Sequence, residues 1–174
     1  MRSLNCRVVR FWWQKAPNDV ARGTALHLAL RCYLTRPDLA PMLSLATGLD
    51  PEELVLVAEH ANVPKTWLNA AGYMDIHCGS TVLGRTAAGA ELPGTIDLLA
   101  VGPSGCLLID HKSGGMGDGL GPYWPQLSTY AGVVRGLLPA PPLQGGAEFW
   151  IEHGQLSVVD LAQDQVIATP PGVN

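Results

Sequence analysis

The sequence predicts an α/β domain in which a helical layer precedes a mixed central sheet. Three observations carry that prediction. Residues up to about 70 show helical spacing and helix-entry chemistry. After Gly72 the pattern turns to apolar strands punctuated by Gly and Pro turns. Helical periodicity then returns once, from about Tyr123 to Leu137, between two groups of strands.

Residues 1–16 give no element, although Phe11, Trp12 and Trp13 form an apolar cluster that favours burial. From Asn18 to about Leu34 a helix is expected, capped by Asn18 or Asp19. Val20, Thr24, His27, Leu28 and Arg31 recur at its spacing. Pro37 and Pro41 interrupt it, and 42–47 is a candidate short helix. PEELVLVAEHAN (51–62) opens with Pro at the first helical position and acids in the first turn, which suits the positive end of the helix dipole. Residues 64–70 are expected to add a final helical turn.

YMDIHCGSTVLG (73–84) is expected to form a first strand, TAAGAE a turn, and LPGTIDLLAV (92–101) a second strand. GPSG (102–105) is a tight turn and CLLIDHK (106–112) a buried third strand. Residues 113–122 hold five glycines and read as a loop. Pro139, Pro141 and Pro142 end the 123–137 helix. AEFWIEHG and QLSVVDL are expected to pair as a hairpin around Gly154, and the last residues form a tail. The expected organisation is one domain over 1–165, with a helical layer at 17–70, a sheet core at 71–165 and a tail at 166–174.

With 174 residues, 47% apolar and only 15% charged, the chain can bury a core and is not disordered. The net charge of −4 predicts weak intrinsic grip on any polyanion, so a DNA-directed activity would need tethering by another domain or subunit. Cys6, Cys32, Cys78 and Cys106 form no CxxC pair and are expected to be ordinary buried thiols. The N-terminus has no signal-peptide core, and no stretch approaches the ~20 apolar residues that span a bilayer. A cytoplasmic location is therefore expected.

Asp97 interrupts one apolar strand and Asp110 ends the next. The short GPSG turn makes those strands antiparallel neighbours, which can bring both carboxylates to one end of the sheet. Side chains alternate along a strand, so Asp110 and Lys112 share a face and His111 points to the other. Phosphodiester hydrolysis uses such a set. Two carboxylates hold a hard divalent cation, which polarises the phosphate and acidifies a water, and a lysine orients that water and offsets charge. Singly, an Asp at a strand end is more often a turn or cap residue and a Lys a solvated charge; together, at this spacing, they favour function.

GTIDLLAVGPSGCLLIDHKSG resembles the nuclease core of RecB-type PD-(D/E)XK enzymes, the C-terminal domains of RecB- and AddA-like helicase–nucleases. The resemblance implies a restriction-endonuclease-like fold, a mixed central sheet flanked by helices. It aligns Asp97 and Asp110 with the metal-binding aspartates and Lys112 with the catalytic lysine. The backbone carbonyl of His111 becomes a further metal ligand. RGTALH (22–27) resembles the upstream G-x-x-x-H segment and assigns His27 beside the metal, although a single His on an apolar helix is usually a core residue. QLSTY (126–130) resembles Q-x-x-x-Y and assigns Gln126 and Tyr130 to the substrate path.

The implied activity is Mg²⁺-dependent DNA cleavage, with Mn²⁺ as the alternative ion and an exonuclease mode ahead of an endonuclease one. The implied setting is DNA end processing in recombination or double-strand-break repair, with a helicase domain or subunit as partner. In place of the family's first-strand Glu the nearest residue is Asp75. No Cys follows Cys106, so no iron–sulfur cluster is expected, and no GxxxxGK[ST] loop is present to drive a helicase. No G-x-S-x-G elbow appears, SGGMGDGLG lacks the lysine of a phosphate cradle, and His60, His77 and His153 are scattered. The competing reading is a non-catalytic DNA-binding or assembly module with a vestigial site.

Overall fold

The computed structural model describes residues 19–85, 91–115, 123–137 and 142–160. Expectations for the Phe11–Trp13 cluster, the Asn18 cap, Cys6, the turn over 86–90, the glycine-rich segment beyond residue 115, Pro139 and Pro141, and the tail lie outside those residues.

Helix α1 spans Asp19–Thr35, and a 3-10 turn at Pro37–Met42 leads into the short helix α2, Leu43–Thr47. Helix α3 runs over Pro51–Ala70. Three strands follow: β1 Asp75–Arg85, β2 Glu91–Gly102 and β3 Gly105–Lys112. Helix α4, Trp124–Leu137, then crosses to β4, Leu143–Trp150, and β5, Gln155–Asp160, closes the order. The fold is thus α/β, with N-terminal helices followed by a five-stranded mixed sheet and a flanking helix. It is consistent with the restriction-endonuclease-like core expected from the sequence.

Two local predictions change. Residues 51–70 form one helix rather than a helix and a separate turn. Its entry is a capping box: the Glu53 N–H donates to Asp50 Oδ1 at 2.8 Å, and the Asp50 N–H donates to Glu53 Oε2 at 3.1 Å. Pro64 forfeits one backbone hydrogen bond. It is nonetheless buried on the same face as Leu54, Val57, Ala61 and Leu68, and that packing carries the helix through. In α1 the buried face is Ala25, Leu26, Ala29 and Leu30, whereas Val20 and Leu28 are exposed. The apolar face is thus rotated from the one predicted, and Ala25, Leu26, Ala29 and Leu30 join the core on the α1 side of the sheet.

The strands lie in chain order, β1-β2-β3-β4-β5. Only β3 and β4 pair in parallel, as a crossover through α4 requires; the other pairs are antiparallel. Helices α1 to α3 cover one sheet face through Leu98, Ala100, Leu107, Ile109, Ala147 and Phe149. Helix α4 covers the other through Leu127, Ala131 and Val134, packed on Ile96, Leu99, Cys106 and Leu108. Along β3, odd residues therefore face α1 and even residues face α4.

The β1–β2 ladder is interrupted at Gly79 and Asp97. Pairing holds at Ser80↔Ile96 and Cys78↔Leu98 but not between them, and Gly79 has φ 69°. Ile96 faces α4 and Leu98 faces α1, so β2 twists at Asp97. The β2–β3 ladder ends at Leu98↔Ile109, one residue before Asp97 and Asp110. Among the described residues no helix is long and apolar enough to cross a membrane.

Candidate functional site

Three polar residues are buried among the described residues, and all lie at one end of β3 and its neighbour: Asp110, His111 and Glu148. Burial of ionisable side chains is costly without partners, so their surroundings carry the chemistry.

Asp110 and Lys112 face α4, as strand alternation predicts. Lys112 Nζ lies 2.5 Å from Asp110 Oδ2 and donates to Gln126 Oε1 at 3.0 Å. Gln126 Nε2 donates back to Asp110 Oδ1 at 3.3 Å. The three side chains form a closed ring between β3 and the first turn of α4. Lys112 also sits 4.1 Å from the centre of the Tyr123 ring, and Tyr123 meets Trp150 edge-on. Burial pushes the Asp110 carboxyl above its ordinary value; the Lys112 ammonium opposes that shift and Asp97 adds to it. Asp97 and Asp110 therefore sense one another.

On the opposite face His111 meets α1. Its ring packs at right angles to His27, with centroids 5.9 Å apart, and edge-on to Phe149. Asp97 Oδ2 accepts the His111 backbone N–H at 2.8 Å, while Oδ1 lies 3.7 Å from His27 Nδ1, beyond hydrogen-bond reach. Burial acts to raise the Asp97 carboxyl, but the two imidazoles and that N–H outweigh it and the carboxyl ends below its ordinary value. Burial pulls His111 down to about 4, so its ring is neutral near pH 7, and its Nε2 is buried without a hydrogen-bond partner.

One donor atom from each of His27, Asp97 and His111 lies within 4.8 Å of the others. Donors around a tetrahedral ion at ~2 Å stand closer than that, so the group would contract on binding. Two imidazoles and one carboxylate suit Mn²⁺, Fe²⁺ or Zn²⁺ better than Mg²⁺, which prefers oxygen. The resemblance assigned His111 a role through its carbonyl; its side chain joins the cluster as well. Asp110 stands outside this group.

Tyr130, one turn beyond Gln126, packs against β2 near Gly94: a Cβ at Gly94 would stand 2.6 Å from the Tyr130 ring. Tyr130, Gln126, Thr129, Pro125 and Pro93 line a depression of about 300 Å³. Asp75 does not belong to the site. It is exposed and pairs with Val101, at the opposite end of β2 from Asp97, because β1 runs antiparallel and begins where β2 ends. His60 Nδ1 donates to the Ile151 carbonyl oxygen at 2.7 Å and is structural, and His77 and His153 are exposed outside the cluster. Cys32 and Cys106 are buried and Cys78 is half-buried.

Sequence reasoning passed over Glu148. It pairs with Asp110 across the parallel β3–β4 ladder and is fully buried, and among the described residues neither carboxylate oxygen has a hydrogen-bond partner. Burial pushes its carboxyl up to about 7; Lys112 opposes this and Asp110 reinforces it. An acid inside the apolar run AEFWI was the available signal, the same one that singled out Asp97.

Comparison with known proteins found no matching family model and no similar curated protein. The fold and its polar cluster define an α/β chain with a carboxylate–lysine ring and a His/Asp/His group on opposite faces of one strand end.

Proposed function

We propose that this chain is a divalent-metal-dependent deoxyribonuclease of the RecB-type PD-(D/E)XK class. The observation that carries this reading is the Asp110–Lys112–Gln126 ring at the end of β3, within electrostatic reach of Asp97. Its members are the residues that the G-x-I-D, D-x-K and Q-x-x-x-Y resemblance selects.

In this reading Asp97 and Asp110 each supply a carboxylate for metal binding, and His27 stands beside Asp97. The bound cation supplies Lewis-acid polarisation of the phosphodiester and acidifies a water. Lys112 orients that water through Nζ and offsets charge on the phosphate. Gln126 bridges Asp110 and Lys112 and fixes their spacing, and the Tyr123 ring supports the ammonium from below. Tyr130 and the depression beside it shape the substrate path. The imidazole content of the cluster favours Mn²⁺ over Mg²⁺. With a net charge of −4, DNA is held with help from a helicase domain or subunit, in end processing for recombination or break repair.

The test is degradation of linear DNA by the purified chain in Mg²⁺ and in Mn²⁺, beside Lys112→Ala. Metal-dependent cleavage that Lys112→Ala abolishes supports the assignment, and cleavage surviving in that variant sinks it. One observation favours a second reading, a binding or assembly module with a vestigial site. Asp97 directs its oxygens to the His111 N–H and to His27, on the face away from Lys112. DNA binding with no cleavage under either metal, alone or with a helicase partner, would favour that module.

A further inference from the structure

Beside Asp110 stands the acid that the nuclease reading leaves unused. We propose that Glu148 and Asp110 together form an all-oxygen position for a hard divalent cation on the α4 face of β3, separate from the His27–Asp97–His111 group. The inference deepens the reading of the Asp110–Lys112 site, and its readout is ion binding rather than cleavage.

The placement follows from the ladder. Asp110 pairs with Glu148 and Lys112 with Trp150 in the parallel register. Neighbouring strands lie about 4.8 Å apart and paired side chains share a face, so the two carboxylates stand side by side under α4. Magnesium-type ions bind oxygen at about 2.1 Å, and two carboxylates at this separation can both reach one ion.

Charge and burial then require a partner. Glu148 has 0% exposure and Asp110 6%. One ammonium, Lys112, serves both acids, and its contacts go to Asp110 and Gln126. A proton on Glu148 would remove the excess charge, but neither of its oxygens is hydrogen-bonded among the described residues, so no acceptor is in place for the hydroxyl. A divalent cation satisfies both carboxylates at once. Lys112, on its flexible stem, can yield Asp110 and keep its contacts with Gln126 and Tyr123. The donor sets on the two faces differ in kind, and that makes them separable. Two carboxylates accept Mg²⁺ readily, whereas two imidazoles with one carboxylate do not.

The experiment is Mn²⁺ binding to the full chain, followed by electron paramagnetic resonance with Mg²⁺ as competitor. The wild type is expected to bind two Mn²⁺ per chain, of which excess Mg²⁺ displaces one. Glu148→Gln should bind one, resistant to Mg²⁺, and His27→Ala should also bind one, displaced by Mg²⁺. Glu148→Asp, which keeps the charge and shortens the reach, should weaken the displaceable ion at least tenfold while matching the wild-type near-ultraviolet circular dichroism. A displaceable ion that survives Glu148→Gln with unchanged affinity overturns the proposal, as does a wild type with no displaceable ion. A chain that binds both ions and cuts no DNA would defeat the nuclease reading and leave this one standing.

Discussion

Asp97 accepts the backbone N–H of His111 through Oδ2 at 2.8 Å, one residue past the point where the β2–β3 ladder stops. A side-chain oxygen thus replaces a strand carbonyl as the acceptor for a buried N–H. Asp97 is therefore structural as well as chemical, and the two roles separate by substitution. Asn retains an oxygen for the N–H and loses the charge; Ala orphans the N–H. With a chelator present, Asp97→Ala should lower unfolding free energy by about 1–3 kcal/mol in urea titration, and Asp97→Asn by less. Both should lose cleavage. Equal stability of the two variants would mean that the N–H finds another acceptor.

Gln126 is the bridge between an acid and an ammonium that would otherwise meet without a fixed geometry. Gln126→Met keeps the length of the side chain and removes both hydrogen bonds. We expect kcat to fall about 10–100-fold, the usual scale for losing a group that hydrogen-bonds a metal-ligating carboxylate, with KM little changed. A rise in KM alone would move Gln126 from positioning to substrate binding.

The buried pair Glu148 and His111 gives the metal-free protein opposite responses to pH. The Glu148 carboxyl is raised from 4.5 to about 7 in the folded chain, so its contribution is intact below pH 4.5 and is lost as pH rises through 7. The His111 ring is lowered from 6.5 to about 4, so its contribution is intact above pH 6.5 and is lost as pH falls through 4. Glu148→Gln should therefore stabilise the chelated protein at pH 8, on the order of 1–3 kcal/mol. It should make little difference below pH 4.5. Thermal unfolding across that range reads the effect, and an equal gain at both ends would contradict the assignment of burial as its cause.

Gly23 sits where α1 crosses the end of β3. A Cβ there would stand 2.7 Å from Ser113 Oγ, next to Lys112 in sequence. Gly23→Ala should forfeit most of the ~1 kcal/mol that the better helix propensity of Ala would give, because Ser113 must turn its hydroxyl away. Ser113→Gly in the same chain should restore that gain. If the double variant is no better than the single one, the close approach is not what selects glycine.

Much of this architecture was legible from periodicity and punctuation. The helix entry at Pro51 with its first-turn acids, the GPSG turn and the strand alternation at Asp110 and Lys112 are local signals, and each appears where the sequence places it. What was not legible depends on tertiary register. The inward face of α1 carries Ala25 and Ala29 beside Leu26 and Leu30, and apolar spacing alone does not choose it over the face of Val20 and Leu28. Asp75 looked plausible because it lies in the first strand, yet antiparallel pairing carries it to the far end of β2. Glu148 was missed because its significance comes from a parallel partner across a helix crossover, a relationship absent from any local window. The His111 side chain was assigned to the face away from Lys112, and the sequence did not reveal that His27 and Asp97 would meet it there.

The His27–Asp97–His111 group draws one donor from the first helix and two from the middle of the sheet. An ion bound there would act as a clasp between segments remote along the chain, and it would resist release of α1 in proportion to its affinity. Hydrogen exchange of the α1 amides with and without added metal would then report on ion occupancy directly. Slowing confined to α1 and the ends of β2 and β3 would be the signature of the clasp closing.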